Sequence, residues 1–217
     1  MRDHFHSKTD HGTATGSHVI HWAPVYEFVF GRFLRRTHAA VVELAALRAG
    51  EWVLDVASGT GSLALALKAS AGPTGSVHGI DASPEMIEVA RRSVAKAGVD
   101  LNVQVGLAEA LSFPDGTFDL VVSQLAVHHW PDDLKPTAFG KMRRVLKPGG
   151  RCFIIDFEPP KSVAGRLIAR MVLRSDEMMR VNVADYRPLL EKAGFTKVET
   201  GRTRHRLLSF ARGRVVR

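Results

Sequence analysis

The stretch Val53-Leu-Asp-Val-Ala-Ser-Gly-Thr-Gly61, answered twenty residues later by Asp81 in Gly79-Ile-Asp-Ala-Ser83, decides the fold. It reads as a buried strand, a glycine-rich turn, a helix and a second strand that ends in an acid. Such a unit grips an adenosine, because glycines let the backbone approach the ligand and the acid takes ribose hydroxyls. Two cofactor classes fit that grip, and the rest of the chain must choose between them.

Working outward, strands and helices alternate. Trp52–Val56 is a continuous apolar run, as a buried parallel strand requires. Gly61–Ser70 reads as helix, Ser76–Asp81 as strand, and Pro84–Ala97 as a helix capped by Ser83 with Pro84 in its first turn. Leu101–Val105 and Phe118–Gln124 are further strands, Asp132–Leu146 a helix closed by Lys147-Pro-Gly-Gly150, and Arg151–Phe157 a fifth strand. Asp185–Ala193 is helical, and Thr196–Thr200 with Thr203–Ala211 form a closing hairpin around Gly201. Ahead of the first strand, two helices are expected, around 24–35 and 37–48. The pattern predicts a doubly wound α/β sheet with right-handed crossovers.

A chain of 217 residues with 45% apolar and 24% charged residues fits one soluble domain. We divide it into an arm (1–20, with His4, His6, His11 and His18), a helical cover (21–49), a cofactor-binding core (50–160), a cap insert (161–185) and a closing helix and strand pair (186–217). No apolar stretch spans a bilayer, and the start is no signal peptide. The single Cys152 lies in an apolar strand and reads as core, which favours a reducing cytoplasm. The net charge is +8, and residues 201–217 hold six arginines and no acid. Because those arginines alternate with apolar residues, they suit a solvated strand face better than a polyanion site.

Asp55 bears on the cofactor. Gly59-Thr-Gly61-Ser-Leu-Ala64 obeys the dinucleotide pattern, but a pyrophosphate at the helix N-terminus is poorly served by an acid just before the glycines. S-adenosylmethionine has no phosphate. Its cationic sulfonium and amino group complement Asp55, which argues against a nicotinamide.

Five segments then fall in one order: Val53–Gly61, Gly79-Ile-Asp-Ala-Ser-Pro-Glu-Met86, Gly106-Leu-Ala-Glu-Ala-Leu-Ser-Phe113, Phe118-Asp-Leu-Val-Val122 and Leu146-Lys-Pro-Gly-Gly150. In these the chain resembles the class I S-adenosylmethionine-dependent methyltransferases. The resemblance is to the small-molecule branch that holds the ubiquinone/menaquinone-biosynthesis C-methyltransferases and bacterial phospholipid N-methyltransferases. It implies a Rossmann-like seven-stranded sheet, mostly parallel with one antiparallel strand near the C-terminus and helices on both faces. It implies S-adenosyl-L-methionine as methyl donor, S-adenosyl-L-homocysteine as product, and no metal. Asp55, Ser58, Gly59 and Gly61 would line the methionine and ribose end, with Ala57 and Thr60 in the same loop. Asp81, followed by Ala82, would hold the ribose hydroxyls. Met86 would lie on the adenine face, Ala108 and Glu109 on its edge, and Gln124 beside the sulfonium. Two positions depart from the family pattern. Ala57 stands where glycine is usual, which is tolerable if its φ is negative. Leu107 stands where an acid often accepts from the adenine amino group.

Methyl transfer is an in-line displacement that needs alignment and exclusion of water. A base is needed only where the nucleophile carries a proton. The candidates are His128 and His129, in a base or orienting role, in Ala126-Val-His-His-Trp130. For substrate contacts we select Trp22, Tyr26, His129, Met171 and Met178; the methionines sit in an insert with Arg166, Arg170, Arg174 and Arg180 on one face. The expected acceptor is a small apolar, aromatic or lipid-like molecule. Peripheral contact with an anionic membrane and an ordinary solvated face both fit the insert. The chain is expected to act as a monomer or homodimer. A nucleic-acid methyltransferase rests on charge alone, and a non-catalytic cofactor binder only on Leu107.

Overall fold

The computed structural model describes residues 37–158, 181–205 and 207–216. Helix α1 covers residues 37–44. Strands β1 (Trp52–Val56), β2 (Ser76–Asp81), β3 (Asn102–Val105), β4 (Phe118–Gln124), β5 (Leu146–Phe157), β6 (Thr196–Arg202) and β7 (Leu208–Arg214) follow, with helices α2 (Ser62–Ala71), α3 (Pro84–Ala97), α4 (Lys135–Val145) and α5 (Tyr186–Lys192). The strands make one seven-stranded sheet in the order β3-β2-β1-β4-β5-β7-β6. The β3-β2-β1-β4-β5 ladders are parallel, and β7 is antiparallel to both its neighbours. The doubly wound sheet with one antiparallel strand is therefore what the sequence predicts. Chain order runs outward from β1 to β3 and resumes on the other side at β4, so the topological switch lies between β1 and β4. Ligands of such sheets bind beyond the carboxyl ends of the strands at that point.

Alternation along each strand builds the two layers. Leu54, Val56, Val121 and Ile154 face α4 and α5 and pack with Phe139, Met142, Tyr186 and Leu190. Val53, Leu120, Val122, Phe153 and Ile155 face the other way and pack with Leu63, Leu67, Ile87 and Val41. Covered on both faces, the inner strands carry apolar residues almost throughout. Asp55 and Gln124, two residues on from Val53 and Val122, share the second face at the carboxyl edge.

Local signals set the helix ends. Ser83 caps α3 by accepting the Met86 N–H at 3.2 Å, Pro84 opens the helix, and Gly98 closes it in the left-handed conformation. At the opposite edge Arg151 holds Glu51 through two bonds of 2.8 and 2.6 Å, and donates to the Ala45 carbonyl at 2.6 Å. Cys152 is buried, and burial pushes its thiol up to about 12, so it is an unreactive core residue.

Some elements differ from expectation. Lys147-Pro-Gly-Gly150 does not end the helix as a free turn: it lies inside β5, where the register shifts between Phe118↔Leu146 and Leu120↔Arg151. That bulge absorbs the extra residues. Helix α4 starts at Lys135, and Asp132 sits in the preceding turn, accepting from Lys135 Nζ at 2.6 Å. The closing hairpin turns after Arg202, not around Gly201. Gly201 is a strand residue paired with Phe210, whose ring stands 2.7 Å from where a Cβ would be. The helix around 24–35, the arm, Trp22, Tyr26, Met171, Met178 and residues 161–180 of the insert lie outside the described residues. Among the described residues no helix is long and apolar enough to cross a membrane, and no group of three or more His, Cys, Asp or Glu could hold a metal ion.

Candidate functional site

The loop after β1 is built by close backbone approach. Ser58 N–H donates to the Ile80 carbonyl at 2.8 Å, folding the loop back over β2. Gly79 is required beneath it, since a Cβ there would stand 2.9 Å from Ser58 Oγ. Gly59 and Gly61 take positive φ of 55° and 78°. A Cβ on Gly61 would meet that of Ala90 at 3.1 Å, so this glycine sets the packing of α2 on α3, whereas one on Gly59 would meet no atom of the described residues within 4 Å. Asp81 latches the loop: its Oδ2 accepts from Gly59 N–H at 2.8 Å and its Oδ1 from Ser83 N–H at 2.9 Å.

Ala57 has φ of +61°, so the condition attached to its methyl is not met. A non-glycine residue here is strained by about 1–2 kcal/mol. Leu125, directly after β4, has φ of +54°. Ala46 and Lys197 also take positive φ, away from the switch point, but Ala57 and Leu125 directly follow the two strands that flank it, a place where ligand sites hold such conformations.

Asp55 is fully buried. Burial, and then the neighbouring Asp81 carboxylate, push its acid well above the usual carboxylate range. Burial also raises Asp81, against the pull of its two backbone donors. Among the described residues no cation acts on either acid. Such a pair disfavours a pyrophosphate and favours a cationic ligand.

The polar atoms left without partners make the same point. Among the described residues, the buried side-chain atoms with no hydrogen bond are Asp55 Oδ2, Ser58 Oγ, Glu109 Oε1, Ser123 Oγ and Gln124 Oε1. Buried polar groups in native proteins are almost always satisfied. Four of these five belong to positions predicted from sequence to hold the cofactor, and they come from β1, its loop, the turn after β3 and the end of β4. Glu109 sits in the short turn Ala108–Ala110, preceded by Leu107 in extended backbone. Gln124 also donates through Nε2 to Thr37 Oγ1 on α1. Thr60 and Met86 are buried and Ala82 is half-buried, all within the same strand-end region.

Beyond β4, Val127–His129 form a single turn in which the two histidine rings stand 3.9 Å apart. His128 is buried against Asp156, a residue absent from our sequence reading. His128 Nδ1 lies 2.6 Å from Asp156 Oδ1, and His128 N–H donates to Oδ2 at 3.0 Å. Tyr186 O–H donates to the same Oδ2 at 2.9 Å, and Phe157 N–H to Oδ1 at 2.8 Å. The available signal was an acid at the carboxyl end of an apolar strand, Ile154-Ile-Asp156, the pattern that singles out Asp55. A pocket of about 480 Å³ opens beside His128, walled by Trp130, Pro131, Tyr186 and Leu189 and rimmed by Lys135 and Asn182.

Comparison with known proteins agrees with this geometry. A family profile described as a methyltransferase domain matches residues 53–150. Demethylmenaquinone methyltransferase of Thermus thermophilus is 40% identical over 154 residues, which are 69% of this chain and 68% of that protein. The ubiquinone/menaquinone biosynthesis C-methyltransferase UbiE of Saccharophagus degradans is 40% identical over 56% of this chain; the matched part spans only 49% of that relative. Among solved structures, a SAM-dependent methyltransferase from Aquifex aeolicus superposes with a TM-score of 0.67 at 23% identity, covering 82% of this chain and 89% of that one. Phosphoethanolamine N-methyltransferase 2 of Haemonchus contortus, solved with S-adenosyl-L-methionine, gives 0.69 at 18% identity over 90% of this chain and 57% of that one.

Proposed function

Since this chain belongs to the class I S-adenosylmethionine-dependent methyltransferases, we propose that it methylates a small aromatic or lipid-like acceptor from a cofactor seated over the β1 loop. The observation that carries this reading is the set of unpartnered buried atoms on Asp55, Ser58, Glu109 and Gln124. They offer acceptors to a ligand with cationic and hydroxyl groups, and a partnerless carboxylate is costly without one. When bound, the cofactor supplies a methyl carbon on a cationic sulfur that departs with its bond pair. The chain's own part is positional. Asp81 presents its remaining acceptor capacity to the ribose hydroxyls, Asp55 and Gln124 face the charged end, and Ala82, Met86, Leu107, Ala108 and Glu109 surround the base. Ala57, Thr60 and Gly61 shape the loop.

The acceptor class follows the relatives that act in quinone biosynthesis, together with the apolar walls of the pocket beside His128. Trp22, Tyr26, Met171 and Met178 would complete the cover, and contact with an anionic membrane would suit a lipid-like acceptor. The test is incubation of the protein with isotope-labelled S-adenosylmethionine and a short-chain demethylmenaquinol, in parallel with a lipid extract, followed by mass spectrometry. Label in the quinol or in an extracted lipid supports the reading. Label in neither, with label in added RNA or DNA, rejects it.

A further inference from the structure

We propose that Asp156 holds His128 as the proton acceptor for a hydroxyl-bearing aromatic ring bound in the pocket between α4 and α5. This rests on the methyltransferase reading above and names the part of the site that would select an acidic hydroxyl.

The argument begins with the carboxylate. Asp156 is fully buried on β5, one residue past the Gln124↔Ile155 pair, at the level where β4 gives way to the histidine turn. It accepts four hydrogen bonds: two from His128, one from Tyr186 and one from the Phe157 backbone. A carboxylate accepts, so the short contact at Nδ1 places the imidazole proton on Nδ1. Nε2 then carries the free lone pair of the neutral ring. Among the described residues Nε2 makes no hydrogen bond, and His128 lines the pocket. The backbone bond from His128 N–H to the same carboxylate fixes the turn as well as the ring. Burial, and then the Asp156 charge, push the Tyr186 phenol upward, so it stays a donor and anchors the carboxylate from α5.

The pocket suits a flat ring. Trp130, Pro131, Tyr186 and Leu189 are its apolar walls. The charged or titratable groups facing His128 are Asp156 from β5, Tyr186 from α5, the adjacent His129 ring, and Asp132, Lys135 and Asp185 around the pocket. Asp132 is engaged by Lys135 at 2.6 Å and Asp185 accepts from Asn182 Nδ2 at 3.0 Å, which leaves His128 as the pocket's base. In the step, the acceptor hydroxyl gives its proton to His128 Nε2, and the bond pair left behind raises the nucleophilicity of the ring oxygen or conjugated carbon. That atom forms the bond to the methyl carbon as the carbon–sulfur bond breaks, its electron pair passing to sulfur and cancelling the sulfonium charge; where the atom is a ring carbon, its hydrogen then leaves as a proton, its bond pair restores the aromatic ring, and the oxygen takes a proton back. The imidazolium, balanced by Asp156, returns its proton to solvent. Asp156 and Tyr186 are positioning residues, since they act through His128.

The experiment combines kinetics with nitrogen NMR on the full chain labelled at histidine. With short-chain demethylmenaquinol as probe, His128→Gln should lower kcat by about 100-fold or more while the affinity for S-adenosylmethionine stays within about twofold. Neutral His128 should carry its proton on Nδ1, a preference lost in Asp156→Asn. Because that variant turns an amide toward buried donors and can unfold, Tyr186→Phe runs beside it, with an expected several-fold loss in kcat and a weaker preference for the Nδ1 proton. A proton found on Nε2 in the wild type overturns the proposal, as does full turnover in His128→Gln. If the wild type does not turn over the quinol, the quinol acceptor falls, and the tautomer alone decides the dyad.

Discussion

Gly59 N–H donates to Asp81 Oδ2 at 2.8 Å across 22 residues of chain, tying the loop after β1 to the end of β2. The second oxygen is held by Ser83 N–H, so one carboxylate organises both the loop and the cap of α3. Asp81→Ala should lose charge-assisted bonds worth about 1.5–3 kcal/mol. Amide exchange at Gly59 and Ser83 should accelerate far more than at β4, and equal acceleration everywhere would show the latch to be unimportant.

Asp55 works against the stability of the folded chain. Its acid is raised, so the stability tied to it is complete below the unfolded carboxylate range and is lost as pH climbs through the folded value. Asp55→Asn should therefore melt higher than the wild type near neutrality, with the difference closing toward pH 4. Each 1 kcal/mol of relief raises Tm by roughly 2–4 °C in a chain of this size. Thermal scans across pH check this, and a lower Tm for the variant at neutral pH would contradict it.

At Ala57 the positive φ of 61° makes glycine the easier residue. Ala57→Gly removes the left-handed strain and costs some unfolded-state entropy, and at positive φ the first effect wins. We expect a gain of up to about 1 kcal/mol, seen as a Tm rise of roughly 2–4 °C. A fall in Tm would mean that the methyl makes packing contacts worth more than the strain.

Leu107 precedes the turn that carries the partnerless Glu109 Oε1. If the adenine amino group lies there, Leu107→Asp adds an acceptor and should tighten S-adenosylmethionine several-fold, consistent with about 1 kcal/mol for a hydrogen bond. Unchanged affinity by calorimetry would show that Glu109 or the backbone already serves the base.

The cradle was legible because its parts are local. The stretch Val53–Gly61 supplies strand, turn and helix start from consecutive residues, and Asp81 follows at a spacing set by one βαβ unit. Ser83 and Gly98 bound α3 by short-range capping, which periodicity and residue type reveal directly. The His128–Asp156–Tyr186 network was not legible, because its members lie 28 and 30 residues apart and meet only through sheet register and the docking of α5. The sign of φ at Ala57 escaped for a similar reason: it depends on how Ser58 docks onto Ile80. Gly201 was misread as a turn because a glycine beside a basic strand looks the same in sequence whether it bends the chain or makes room for Phe210.

The central claim is that the buried acids at the β1–β4 switch seat a cationic adenosine cofactor. Calorimetric titration of the full chain with S-adenosylmethionine and with NAD, in the wild type and Asp55→Asn, tests it most directly. One molecule of S-adenosylmethionine should bind per chain, about tenfold or more weakly in Asp55→Asn as a charge-assisted contact is lost, and NAD should give no saturable heat. Binding of NAD as tight as that of S-adenosylmethionine, or an affinity for S-adenosylmethionine untouched by Asp55→Asn, would contradict the account.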